Sequence, residues 1–329
     1  MKLIIQIPCY NESETLPITL AALPRSVPGF NKVEWLVIDD GSTDDTASVA
    51  KKAGADYIIR YTRNQGLARA FMTGINECIR LGADVIVNTD ADNQYCADDI
   101  SALTQPVLDG HADLVIGARP IYSIRHFSPL KKILQKIGSW VVRIVSRTRV
   151  DDATSGFRAF SRNAARQFVV FNNYTYTLET LIQAGLKNLS VVSIPVRVNP
   201  DLRPSRLIKS VPVYIFKSFA TIVRIFVIYR PFRFFAAIGL LLFGLGFIVG
   251  IRFLYYYFTG GGGGHIQSLV LASVLLGMGF QTIMVAFVTD LLASNRVLLE
   301  KISFRQMGNS DFKDNREVDL QHRGDGVLR

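Results

Sequence analysis

The sequence predicts an α/β domain with a mostly parallel sheet, followed by two helices that cross a membrane. Three observations predict it. Short β-branched runs alternate with helix-length stretches over the first third of the chain. Polar residues gather where each run ends. Two long apolar segments, residues 234–258 and 267–292, lie toward the other end, each longer than the roughly 20 residues needed to cross a bilayer as a helix.

In order, residues 2–7 form a strand-like run that enters Pro8, and residues 14–23 are helical. Residues 33–38 form a second run, ending in Asp39-Asp40-Gly41, before helical stretches at 44–53 and 66–81. Residues 85–87 lead into Asn88-Thr89-Asp90, and residues 114–116 into Gly117-Ala118-Arg119. Ligands of parallel sheets bind at the carboxyl ends of the strands. Here those ends carry Tyr10, Asn11, Glu12, Asp39, Asp40, Asp90, Asp92 and Arg119.

Several classes are excluded. No G-x-G-x-x-G follows the first run and no G-x-x-x-x-G-K-[ST] occurs, so neither a dinucleotide fold nor a P-loop is supported. Gly244, Gly246 and Gly250 fall inside the first apolar segment and read as close helix packing. The four histidines are scattered, without zinc-ligand spacing or a Ser-His-Asp grouping. Three cysteines, Cys9, Cys78 and Cys96, are too few for a disulfide scaffold and are expected to be reduced.

The 329 residues are 49% hydrophobic and 19% charged, with a net charge of +10. That charge is unevenly placed. Residues 1–118 hold 9 Lys and Arg against 16 Asp and Glu; residues 119–150 hold 8 against none, and residues 201–233 hold 7 against Asp201 alone. A helix over 130–147 would put Leu130, Ile133, Leu134, Ile137, Val141, Ile144 and Val145 on one face, with Lys131, Lys132, Lys136, Arg143 and Arg147 on others. Residues 211–229 are more apolar and flanked by cations. Both read as interfacial helices on anionic head groups. Nucleic acid is the rival partner for a basic stripe; it loses because these segments lie beside the apolar spans or the strand-end cluster, so no nucleic acid is expected.

Arg224, Arg230 and Arg233 flank the first apolar segment, and Arg296, Lys301 and Arg305 the second, whereas the glycine-rich link at 259–266 has no Lys or Arg. The positive-inside bias then puts both flanks, both termini and the α/β domain in the cytoplasm. Arg252, near the outer end of the first span, can snorkel to the interface. The expected organisation is a cytoplasmic domain over 1–205, a juxtamembrane interfacial helix over 206–233, spans at 234–258 and 267–292, and a disordered tail over 303–329. Gly277 and Gly279 permit close helix contacts, and with them a homo-oligomer.

The sharpest chemical signal is Asp90-Ala91-Asp92-Asn93-Gln94. Two carboxylates two residues apart at a strand end form a hard oxygen site suited to Mg²⁺ or Mn²⁺; a solvated turn is the plain alternative. Asp39 and Asp40 can accept hydrogen bonds from a base or ribose edge, while Asp44 and Asp45 read as solvated capping residues. Tyr10 offers a flat face for a nucleobase. Cys9 reads as a small packing residue.

These motifs, in this order and at these separations, resemble the nucleotide-sugar transferases of glycosyltransferase family 2. They resemble most closely its polyprenyl-phosphate sugar transferases, the dolichyl-phosphate mannose synthase and bactoprenyl-phosphate glucosyltransferase group. The resemblance implies a GT-A fold, Rossmann-like, and an inverting enzyme. It implies that Pro8, Tyr10, Asn11, Glu12, Asp39, Asp40 and Ala91 hold the nucleotide, and that Asp90, Asp92 and Gln94 hold the metal and diphosphate. Gly117–Arg119 and Ser155–Arg158 also match, as does a late basic segment with Arg203, Arg206 and Lys209. Where bactoprenyl glucosyltransferases typically read G-D-F-R, this chain has Ser155-Gly156-Phe157-Arg158, with Asp151-Asp152 upstream. That moves it toward the mannose-synthase side. The Q-x-x-R-W motif of processive polysaccharide synthases is absent, so a single transfer is expected.

The acceptor, a polyprenyl phosphate, is already ionised near neutral pH and needs little general-base help. Alignment and charge screening matter more. Arg119, Arg203, Arg206 and Lys209 are the candidates to hold its phosphate. Asp92, Arg119 and Asp152 are the candidate catalytic residues, Asp152 for orienting a cation or contacting the sugar. The expected donor is GDP-mannose or a UDP-hexose. The alternatives are a non-catalytic membrane scaffold that keeps the fold, and a transferase acting on a protein or glycan.

Overall fold

The computed structural model describes residues 1–120, 150–170, 176–200, 227–260 and 262–324, with positions 143, 146, 148, 220, 223 and 224. The chain divides into two compact units, Met1–Ile215 with Ser303–Arg329, and Phe216–Ile302. Both expected interfacial helices fall almost wholly outside the described residues.

In the first unit the elements run β1 (Lys2–Cys9), α1 (Leu16–Ala22), β2 (Lys32–Asp39), α2 (Thr46–Lys52), β3 (Tyr57–Arg60), α3 (Leu67–Arg80), β4 (Val85–Asn88), α4 (Ile100–Leu108), β5 (Leu114–Ala118), β6 (Arg158–Ser161), α5 (Arg162–Ala165), α6 (Thr177–Leu186) and β7 (Val191–Pro195). The strands join one seven-stranded sheet in the order β3-β2-β1-β4-β6-β5-β7. β6 runs antiparallel to β4 and β5; the other pairs are parallel. β1 is buried from Leu3 to Cys9 and β4 throughout, as expected of strands covered on both faces. α3 buries Ala68, Phe71, Ile75, Cys78 and Ile79 at helical spacing, which lays one stripe on the sheet.

Register fixes which polar residues meet. Cys9 pairs with Asp39, so the segment after β1 emerges beside the end of β2. Arg60 also pairs with Asp39. Gln6 pairs with Asn88, so β1 outlasts β4 by three residues and the 90–94 turn begins lower in the sheet.

In the second unit α7 (Pro231–Phe258) and the first part of α8 (Ile266–Gly324) are apolar over 28 and 30 residues. Helices of that length reach about 42–45 Å and fit transmembrane spans. They pack closely. A Cβ on Gly246 would lie 2.8 Å from the Leu276 backbone nitrogen, and one on Gly279 would lie 2.6 Å from that of Phe243. Gly279 is therefore spent inside the hairpin, whereas Gly244 and Gly277 face open space. α8 continues beyond the apolar stretch to Gly324, and no proline interrupts residues 266–324.

Candidate active site

The segments after β1 and β2 are sewn together by hydrogen bonds. Asn11, in the left-handed region at φ 55°, receives a bond at Oδ1 from the Thr43 amide (2.9 Å) and donates its own amide to Ser42 Oγ (2.9 Å). The Glu12 amide donates to Thr46 Oγ1, and the Ser13 amide to Asp44 Oδ2. Gly41 completes this corner at φ 69°, and a Cβ there would run into the Arg63 backbone. Only glycine meets both conditions without strain.

Asp44 is part of the stitching. Burial raises its carboxyl, but donors from Thr46 and Ser13 outweigh that and hold it at about 2. A depressed carboxyl adds stability that is present above its ordinary value of 3.8 and lost as pH falls through the folded value. Asp44→Asn is therefore expected to flatten the loss of melting temperature between pH 4 and pH 2. An unchanged acid slope would contradict this.

The two aspartates ending β2 divide their work. Asp40 accepts from the Gln65 and Gly66 amides at 2.7 and 2.9 Å. Both its oxygens thus serve the chain at the start of α3, as the Asn11 side chain serves Thr43. Asp39 is wholly buried; its Oδ1 accepts from the Ser42 amide, while Oδ2 has no hydrogen bond and lies 3.3 Å from Arg60 Nε. Oδ2 is held only by the ion pair with Arg60, whose side chain is 58% exposed, so Asp39 has one oxygen less committed than either oxygen of Asp40. Tyr10 is 43% exposed at the same edge, with Pro8 buried beside it. Cys9 is buried, its thiol donating to the Ile7 carbonyl, which fits a packing role.

After β4 the chain turns through Asp92, whose Oδ1 accepts from the Gln94 amide at 3.1 Å, and Asn93, at φ 56°. The Ala91 carbonyl is taken by Thr19 Oγ1 at 2.8 Å. Asn199 pins this turn, donating from Nδ2 to Asn93 O and from its amide to Gln94 O. Burial, followed by the Asp92 carboxylate, pushes Asp90 up to about 7, against the pull of Arg119. Two carboxylates that resist ionising together are suited to a cation. Among the described residues no cluster of three His, Cys, Asp or Glu side chains forms. Asp90 and Asp92 therefore fit a hard divalent ion whose other ligands are water and donor oxygens, not an all-protein cage.

Across the cleft floor Arg119, just past β5, is paired with Asp152. Arg119 Nε donates to Oδ2 at 2.7 Å and an Nη donates to Oδ1 at 3.2 Å; the same Nη reaches Thr154 Oγ1 at 2.9 Å. The two side chains are 12% and 0% exposed. Burial would raise the Asp152 carboxyl, but Arg119 and the Thr154 donors hold it below its ordinary value. Asp152 thus pairs through both carboxylate oxygens with a cation, Arg119.

Arg158 of the Ser-Gly-Phe-Arg segment is fully buried and donates to the carbonyls of Ala153, Ser155 and Thr177 and to Thr180 Oγ1. It holds the 153–155 segment against α6. Arg203, Arg206 and Lys209 lie outside the described residues. Sequence reasoning overlooks Arg60, Tyr95 and Tyr176, which gain meaning only from what they pack against.

The sheet order, with its single antiparallel strand and its acidic turn after β4, defines a nucleotide-sugar transferase of the GT-A kind. Residues 4–171 match the model of glycosyl transferase family 2, and the chain belongs to that family. It is 30% identical over 204 residues to the polyprenol monophosphomannose synthase of Mycolicibacterium smegmatis, covering 59% of this chain and 76% of the relative. It is 28% identical over 213 residues to the UDP-N-acetylglucosamine–dolichyl-phosphate N-acetylglucosaminyltransferase of Methanococcus voltae, covering 58% and 83%. Among solved structures, glucosyl-3-phosphoglycerate synthase from Mycobacterium tuberculosis, in complex with Mn²⁺, UDP and glucosyl-3-phosphoglycerate, superposes with a TM-score of 0.50 at 19% identity, covering 69% of this chain and 78% of that one. That likeness is one of fold.

Proposed function

We propose that this enzyme transfers a hexose, with inversion, from a nucleotide diphosphate sugar to a polyprenyl phosphate at the cytoplasmic face of a membrane. The observation that carries the reading is the placement of two carboxylates, Asp90 and Asp92, near a buried ion pair, Arg119–Asp152, at the strand ends of one sheet. The similarity to a polyprenol monophosphomannose synthase and a dolichyl-phosphate N-acetylglucosaminyltransferase supports the acceptor class. The two apolar helices support a membrane substrate.

The donor nucleotide lies against Tyr10 and Pro8, with Asp39, at the end of β2, taking a base or ribose donor in place of Arg60. Asp90 and Asp92 hold Mg²⁺ or Mn²⁺, which supplies countercharge to the diphosphate when bound. The acceptor phosphate oxygen attacks the anomeric carbon from the face opposite the diphosphate; the new C–O bond forms as the bond to the diphosphate breaks, and the nucleoside diphosphate leaves. No proton has to be removed from the attacking oxygen, so alignment and exclusion of water dominate. Arg119 is suited to hold the acceptor phosphate. Asp152 and Thr154 occupy one edge of its guanidinium, while Nη1 makes no hydrogen bond among the described residues.

Purified protein in detergent with Mn²⁺, undecaprenyl phosphate and a panel of GDP- and UDP-sugars is expected to yield a polyprenyl-phosphate sugar from one donor class. Turnover only with acceptors lacking a lipid phosphate would overturn the reading in favour of a protein or glycan acceptor. No turnover despite nucleotide binding would favour a scaffold.

A further inference from the structure

Asn88 ends β4 two residues before Asp90 and is fully buried. All its side-chain hydrogen-bonding capacity points inward. Nδ2 donates to the Gly156 carbonyl at 2.8 Å and to the Tyr176 hydroxyl at 2.9 Å, and Oδ1 accepts from Gln6 Nε2 at 2.9 Å. The Gly156 amide donates in turn to the Tyr95 hydroxyl at 3.0 Å. Gly156 is thus gripped at both its amide and its carbonyl, by side chains from two different segments. Its Cα faces the carboxylate of Asp90. A Cβ there would lie 3.0 Å from both Asp90 oxygens and 2.9 Å from the Tyr176 hydroxyl.

The aromatic rings fix the rest. Tyr176 stacks on Phe71 of α3, with centroids 3.9 Å apart and planes 9° from parallel; Tyr95 stacks on Phe157 at 5.0 Å and 15°. These stacks give the two hydroxyls little freedom to follow a moving partner. A buried network of this kind is costly when incomplete and rigid when complete. At its edge lies the Asp90 carboxylate.

We propose that Asn88 and Tyr176 are positioning residues that set the Asp90 carboxylate for its divalent cation, and that Gly156 is the seat against which this carboxylate rests. The inference builds on the assignment of Asp90 and Asp92 as the cation's protein ligands. Any side chain at 156 would crowd the space taken by Asp90 and the Tyr176 hydroxyl. Residues that orient a metal ligand typically change metal affinity by about 10–100-fold when altered.

The test is direct Mn²⁺ binding to the full chain in detergent with UDP or GDP present, read as loss of the free-ion signal in electron paramagnetic resonance. Tyr176→Phe keeps the stack on Phe71 and removes only the hydroxyl. It is expected to weaken Mn²⁺ binding by about tenfold, with only a modest fall in melting temperature from the Asn88 N–H that loses its acceptor. Gly156→Ala places a methyl group against Asp90 and is expected to weaken binding further. Parental Mn²⁺ affinity in both variants would overturn the proposal while leaving the ligand assignment intact. A parent protein that binds no Mn²⁺ with either nucleotide would overturn the ligand assignment too. Weakening matched by an equal fall in Mn²⁺-free nucleotide affinity and a collapsed melting temperature would assign these residues to folding alone.

Discussion

Asp92→Asn is expected to lower sugar transfer by about 10³-fold, roughly 4 kcal/mol of transition-state stabilisation. The amide keeps an oxygen for the Gln94 amide hydrogen bond, so the turn after β4 should survive. What disappears is half of the charge that holds a cation against the leaving diphosphate. Asp90 alone is a poor substitute, because its surroundings already disfavour its ionised form. The experiment is a rate measurement across a Mg²⁺ or Mn²⁺ titration, with the melting temperature as a folding control. A folded variant with the parental rate would remove the metal assignment.

The second large effect concerns Arg119 and Asp152. Arg119→Met leaves Asp152 wholly buried with the Thr154 donors and no cation. Breaking one side of a buried ion pair costs about 3–5 kcal/mol, chiefly because the remaining charge is uncompensated. A marked drop in melting temperature is expected together with loss of transfer. Asp152→Asn separates the two consequences. The shape is kept, Thr154 retains an acceptor, and the charge left unpaired is Arg119, whose side chain keeps 12% exposure where that of Asp152 has none. A smaller stability loss with a raised KM for the lipid phosphate is then expected, and an unchanged KM would count against Arg119 as the acceptor's ligand. The pH dependence carries a sign. The folded Asp152 carboxyl is depressed, so its contribution is present above the ordinary carboxylate range and is lost as the medium becomes more acidic. Asp152→Asn should remove that part of the acid denaturation.

Much of the architecture was legible because it rests on local pattern. The runs at 2–7, 33–38 and 85–87 became β1, β2 and β4 with ends shifted by two residues at most. β3, β6 and β7 were not foreseen: β3 and β7 lie at the two sheet edges and are at most half-buried, and β6 mixes polar with apolar residues, so none shows the continuous apolar run of a strand covered on both faces. β6 also carries Arg158, whose charge argues against a buried strand until its four acceptors are seen. The site divides in the same way. The Asp90–Asp92 spacing and the strand-end location of Asp39 are properties of adjacent residues. That Asp40 serves the start of α3 depends on a loop 25 residues later.

By itself the sequence determined the class of fold, the acidic turn, and the two apolar helices long enough for a membrane, since propensity, spacing and composition act over short stretches. Only the tertiary structure decided that Asp40 takes the amides at the start of α3, that Asp152 pairs with Arg119, and that Gly156 has no room for a side chain. Each of those outcomes is set by contacts between residues 20 to 66 positions apart, where a side chain's role depends on which donor or carboxylate packing brings within about 3 Å.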